Sequence, residues 1–303
     1  MANTYTIESP MPPLWMMFPY IHPYSIGWRM GAGEGYKLDF WDWFQTLPEN
    51  EQQQYKVMFP PPILWQRNWY NLRGDKDDES YPGGYFPDDV DSFVEFWNKN
   101  GVPRYSKGWL SGKNTNTDFV FFWKPGDIEY EPECCFGQWQ YSEFTAALAE
   151  PVDFTCTEQY MMASKAQIFG DKEIEKEILE TRDPKQMKSL GRKVRNFDPK
   201  VWDEIKYSIV LNGNYYKFAQ NKTMRDILIN TGDKVLVEAS PLDTIWGIGF
   251  AESNPKAADP KSWRGLNLLG FALMEVRDEI KTVYQNYDKI DWPRFEVNFE
   301  GKY

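Results

Sequence analysis

The chain has 303 residues, 42% of them hydrophobic and 17% aromatic, which suffices for one large domain or two ordinary ones and is too apolar for intrinsic disorder. A net charge of −11 disfavours non-specific nucleic-acid binding, which draws on Lys and Arg, so any such contact needs a local basic patch. Three cysteines without CxxC spacing (Cys134, Cys135, Cys156) argue against a disulfide framework or a zinc site. The one histidine, His22, is read as a packed or exposed turn residue rather than a member of a triad or metal site. MANTYTIESP lacks the basic and apolar regions of a signal peptide, and no apolar run approaches the roughly 20 residues of a membrane span. A cytoplasmic protein is expected.

Residues 1–115 hold eight of the fourteen tryptophans and twelve of the twenty-one prolines. ESPMPPLWMMFPY, FPPPILWQRNWYN and YPGGYFPDD read as extended and turn-rich, because Pro disfavours helix at its own and the preceding position. Their rings suit an irregular aromatic core, and peptide recognition is the alternative. LDFWDWFQTL predicts a short helix ending before Pro48, and DDVDSFVEFWNKNG predicts a second, opened by Asp and closed by Gly101. The polar loop LSGKNTNTD (110–118) is the expected boundary. DFVFFW then reads as a strand. TEQYMMASKA (157–166) predicts a helix capped by Thr157, DKEIEKEILETR (171–182) an amphipathic one, and DPKQMKSLG one with Asp183 at the N-cap, Pro184 at N1 and Gly191 at C′. Another starts at Asp198-Pro199 and runs to about 218, and KTMRDILINTGD closes at Gly232. KVLVEAS (234–240) predicts a strand, SPLDTIWGIGF a Gly-rich loop, and 266–284 a final helix; the tail DWPRFEVNFEGKY has too little pattern to assign.

Three features carry possible chemistry. Glu158 and Lys165 stand seven residues apart on one helix, hence on one side and about 10 Å apart along the axis, with Met161 and Met162 between. That pair reads as an acid/base and an amine nucleophile, or as a solvated helix face. KQMKSLGRKVR (185–195) is the densest basic stretch; Gly191 and Arg192 suit a phosphate, or the charges complement a helix C-terminus. In VEASPLDTIWGIGF, Glu238 ends the strand, Asp243 follows, Trp246 suits base stacking and the glycines allow close backbone approach; a tight turn with a packed Trp is the alternative.

Taken in order, TEQYMMASKA, LGR (190–192), Trp202 of DPKVW, YKF (216–218), LVEASPLDTIWGIG (236–249) and NLLGFALMEVR (267–277) resemble the NADAR (NAD- and ADP-ribose-related) family. The resemblance implies an α+β fold, with a mainly helical catalytic domain and a few short strands over 116–285. The aromatic- and Pro-rich mixed region 1–115 precedes it and a tail, 286–303, follows. It further implies a glycosidase that cleaves a ribose C1–N bond without a cofactor, with Glu158, Trp202 and Asp243 catalytic and Lys165 attacking C1 to form a Schiff base. Arg192 with Gly191 then contacts phosphate, Trp246, Gly247, Gly249 and Asn267 contact the ligand, and Gln138 and Trp139 line the pocket. FFW (121–123) and FGQWQYSEF (136–144) match the family only loosely, which leaves the leaving base open. The expected substrate is ADP-ribose on guanine, in nucleic acid or nucleotide, with no membrane partner. The alternatives are riboflavin intermediates of the phosphoribosylamino-pyrimidine type, or a sensor that binds NAD or ADP-ribose without turnover.

Overall fold

The computed structural model describes residues 5–21, 27–62, 65, 104–112, 117–147 and 151–299. His22 and the helix expected in DDVDSFVEFWNKNG lie outside the described residues. The chain divides into two compact units: Met1–Phe86 with Ala146–Val152 and Glu279–Tyr303, and Pro87–Thr145 with Asp153–Asp278. Among the described residues no helix is long and apolar enough to cross a membrane.

The first unit contains α1 (Leu14–Met17), α2 (Gly27–Met30), α3 (Ala32–Thr46) and α4 (Glu49–Met58), and a further helix over Trp292–Phe299. The aromatics form its core: Phe40 stacks on Phe44 at 5.8 Å, and the Tyr55 ring lies 4.9 Å from Phe59. Buried tyrosine hydroxyls still need partners. Tyr36 donates to the Pro12 carbonyl at 2.5 Å and Tyr55 to that of Met11 at 2.8 Å, fastening the proline-rich entry segment. Helix α3 is longer than the short helix expected, because packing of Tyr36, Phe40 and Phe44 outweighs the cost of its early glycines. Helix α4, rich in Gln and Glu, escaped an aromatic-led reading.

The remaining elements are α5 (Lys107–Ser111), β1 (Phe119–Phe122), β2 (Phe144–Ala147), β3 (Pro151–Phe154), α6 (Thr157–Ile168), α7 (Lys172–Glu180), α8 (Pro184–Gly191), α9 (Pro199–Gln220), α10 (Lys222–Asn230), β4 (Val235–Glu238) and α11 (Leu268–Val283); all belong to the second unit except that β2, β3 and α11 each have residues in both. Strands β2 and β3 pair with each other, while β1 and β4 pair in parallel, Phe119 opposite Val235 and Phe122 opposite Glu238. The fold is α+β and mostly helical.

The Asp-Pro starts behave as their chemistry dictates. Asp183 and Asp198 accept from the amides of Lys185 and Lys200, and the prolines occupy a first-turn position where no amide is needed. Two caps differ from expectation. Cys156, not Thr157, caps α6; Thr157 is its first helical residue, and the Glu158 amide donates to the Gln138 carbonyl at 3.0 Å. Gly191 is the last residue of α8 rather than the residue beyond it, with Arg192 as the cap. Its missing side chain serves packing: a Cβ there would stand 2.1 Å from Met162 Sδ.

Candidate active site

The two parallel strands end at one place. Trp123, Lys124 and Pro125 follow β1, Glu238 ends β4, and Ser240, Leu242, Asp243 and Trp246 follow it. These residues, with Gln138 and Trp139, Glu158 and Met161 of α6 and Lys188 of α8, enclose a cavity of about 360 Å³. The cavity thus lies outside the carboxyl ends of the two parallel strands, the end at which parallel α/β sheets hold their ligands.

Strand β4 is held along both edges. The amides of Val235 and Ala239 donate to Asp118 and Phe122 at 2.9 Å, so its odd-numbered backbone groups face β1. The even-numbered groups meet the Asn267 side chain, whose Nδ2 donates to the Leu236 carbonyl at 2.9 Å and whose Oδ1 accepts from the Glu238 amide at 3.0 Å. Asn267 is fully buried, with φ of 56°, and acts as a one-residue substitute for a neighbouring strand. The loop after β4 folds back on it. The Ile248 amide donates to the Glu238 carbonyl at 3.0 Å, and a Cβ on Gly247 would stand 2.9 Å from that oxygen. Gly249 has φ of 72°, a conformation that glycine takes without steric cost. Asp243 accepts from the amides of Ile245 and Trp246 at 2.9 and 2.8 Å and stands 3.9 Å from Lys188 Nζ.

Glu158 is 5% exposed, and the Trp139 side chain beside it favours its charged form. Burial pushes its carboxyl up to about 7, against the pull of Lys188 and Arg192 and with a further push from Asp243. Burial, then Asp243 and Glu158, push Glu238 up to about 8. Gln138 is fixed by two helices, α6 and α9: its carbonyl takes the Glu158 amide, its Oε1 takes Asn214 Nδ2 at 3.1 Å, and its Nε2 approaches Met161 Sδ at 3.8 Å. Buried Lys217 donates to the adjacent Gly137 carbonyl at 3.1 Å, and desolvation lowers it to about 8. Among the described residues no three of His, Cys, Asp or Glu come close enough together to hold a metal ion.

Of the residues singled out from sequence, Gln138, Trp139, Glu158, Asp243 and Trp246 meet at the cavity. Lys165 is not among the lining residues. Its Nζ donates to the Gly191 carbonyl at 2.8 Å and lies 3.8 Å from the Phe197 ring centre and 5.5 Å from that of Trp202. Burial lowers its pKa, while the two ring faces favour the charged form. Lys165, Gly191 and Trp202 thus form a second cluster, and Arg192 is an exposed cap whose charge reaches Glu158. Gly247, Gly249 and Asn267 shape the loop and the strand. Sequence reasoning noted Glu238 at a strand end, Lys188 within the basic stretch 185–195 and Trp123 within FFW (121–123), but placed none of the three individually at the site.

The NADAR domain model matches residues 121–281, just over half of the chain and inclusive of every residue described at the cavity. The chain belongs to the NADAR family. Among its relatives is N-glycosidase R617 of Acanthamoeba polyphaga mimivirus, 44% identical over 48% of this chain and 86% of that protein. Protein irg-1 of Caenorhabditis elegans is 38% identical over 59% of this chain and 86% of its own. The NMR structure of the E. coli protein YbiA matches at 23% identity with a TM-score of 0.44, covering 55% of this chain and 86% of that one. The cavity lies wholly within the NADAR domain.

Proposed function

We propose that the NADAR domain is an N-glycosidase that cleaves the bond between a ribose C1 and a nitrogen, and that its substrate is ADP-ribose attached to guanine in a nucleotide or nucleic acid. The observation that carries this reading is Glu158, a buried carboxyl raised to about 7 in a cavity that Trp139 and Trp246 also line. A group poised near neutrality exchanges protons efficiently, and flat indoles suit a base and a sugar. Relatives named N-glycosidase support the reaction class.

In this account Glu158 and Asp243 face the sugar and stabilise the positive charge that develops as the C1–N bond breaks. Trp246 and Trp139 stack on the base. The diphosphate takes the cations at and beside the cavity, Lys124, Lys188 and Arg192. Lys165 is the amine nucleophile once it leaves the Gly191 carbonyl and its aromatic neighbours. A second reading is favoured by the resting position of Lys165 outside the cavity lining: water attacks C1 directly and Lys165 is a prop.

The test incubates the full chain with ADP-ribosylated guanosine and, separately, with a phosphoribosylamino-pyrimidine, and separates the products by chromatography. Release of ADP-ribose from the first supports the proposed substrate. Cleavage of the second alone moves the site to riboflavin intermediates. ADP-ribose binding by calorimetry with no cleavage of either makes the domain a sensor. Borohydride added during turnover leaves a reduced ADP-ribose adduct on the Lys165 peptide if the amine attacks, and adds nothing if water does.

A further inference from the structure

Glu238 has no role so far, yet its setting is unusual for a carboxylate. Its backbone is fixed at both ends, the amide to Asn267 Oδ1 at 3.0 Å and the carbonyl to the Ile248 amide at 3.0 Å, so the side chain leaves β4 from a rigid point and lines the cavity. Its Oε2 is enclosed and has no hydrogen-bond partner among the described residues. A buried oxygen of this kind costs free energy unless the carboxyl is neutral or a ligand supplies the partner.

The charged groups around it come from every side of the cavity: Glu158 from α6, Lys188 from α8, Asp243 from the loop after β4 and Lys124 from the end of β1. Among the ion pairs of the described residues, Lys188 goes to Asp243, at 3.9 Å, and to neither glutamate. Glu158 and Glu238 therefore share one cavity with no cation bound to either, and two such carboxylates do not both ionise readily. The Trp139 side chain beside Glu158 favours its anion, whereas Glu238 Oε2 is enclosed without a partner among the described residues.

We propose that Glu238 is the acid of this site, holding the proton that the departing nitrogen takes, while ionised Glu158 faces the sugar. The proposal rests on the N-glycosidase reading and adds the proton donor to it. The C1–N bond breaks with its electron pair passing to nitrogen, and the proton on Glu238 Oε2 moves to that nitrogen. Water, adding to C1 directly or hydrolysing the Lys165 adduct, then supplies the oxygen at C1, and the proton it loses returns Glu238 to its acid form. One water is consumed and no other reactant is required. Burial, Asp243 and Glu158 all push Glu238 upward, which agrees with the proton residing there at neutral pH.

The test has two arms. The first follows the carboxyl carbons of 13C-glutamate-labelled protein by NMR between pH 4 and 9, with Glu238→Gln assigning the Glu238 signal. The expected result is a Glu238 midpoint in the neutral range that falls when Glu158→Gln removes the neighbouring anion. Titration of Glu238 alongside the exposed glutamates, near about 4.3, overturns the proposal. The second arm measures cleavage of ADP-ribosylated guanosine against pH. Glu238→Gln is expected to lower the rate by about 10²–10⁴-fold and to abolish the fall in rate at alkaline pH. A variant with the wild-type rate and pH profile overturns the acid role and leaves the glycosidase reading standing. Failure of the wild type to cleave any C1–N substrate, with a neutral-range midpoint for Glu238, overturns the glycosidase reading and the acid role together.

Discussion

Asn267→Ala removes the side chain that closes the outer edge of β4. Two buried backbone groups lose their partner, the Leu236 carbonyl at 2.9 Å and the Glu238 amide at 3.0 Å. Leaving a buried polar group unsatisfied costs about 1–3 kcal/mol. The residue also has φ of 56°, where Asn is tolerated better than Ala, which adds about 1 kcal/mol. The loss is therefore about 3–7 kcal/mol, against a total stability of about 5–15 kcal/mol for a typical domain. Urea unfolding followed by tryptophan fluorescence reads it as a lower midpoint at an unchanged slope. Because the lost amide partner belongs to Glu238, the variant should lose cleavage activity even where it remains folded. A stability loss under about 1 kcal/mol would refute the view that one side chain substitutes for a strand.

Gly191→Ala should lower stability by about 1–3 kcal/mol by driving a Cβ into Met162, and adding Met162→Ala should restore part of it in a thermal melt; additive losses would contradict the contact. Hydrogen bonds from the Arg195 side chain and amide hold the Asp171 carboxyl well below the usual carboxylate range. Its contribution is thus present above the ordinary carboxylate value and is lost as pH falls through the folded one, so Asp171→Asn should flatten the acid limb of stability, measured as urea midpoint against pH. Glu238 has the opposite sign: its folded value is raised to about 8, so the native state binds the extra proton and stability declines as pH rises from the ordinary carboxylate range through about 8. Glu238→Gln should remove that decline, and an unchanged alkaline profile would count against the burial of its charge.

The helical scaffold was legible because its punctuation is local. Asp183-Pro184 and Asp198-Pro199 state where helices begin, and Gly232, at φ of 62°, states where one ends. The cavity was legible in part. Glu158, Asp243 and Trp246 sit in motifs whose residue types announce chemistry, and they meet at the ends of β1 and β4. What escaped depends on parallel pairing across more than a hundred residues, which sequence order does not display. Trp123 reaches the cavity only because β1 pairs with β4, and Lys188 only because α8 packs on α6 through Gly191 and Met162. The seven-residue spacing of Glu158 and Lys165 correctly placed both on one side of α6. It gave no hint that Gly191, Phe197 and Trp202 would gather around the lysine at the far end.

The central claim, that the cavity around Glu158 breaks a ribose C1–N bond, is met most directly by a single-turnover assay. Excess protein is mixed with ADP-ribosylated guanosine at pH 7, and free ADP-ribose is followed over time for wild type and Glu158→Gln. The account predicts release by the wild type and a rate about 10²–10⁴-fold lower in the variant, with an unchanged melting profile. A folded Glu158→Gln protein that releases ADP-ribose at the wild-type rate would contradict it.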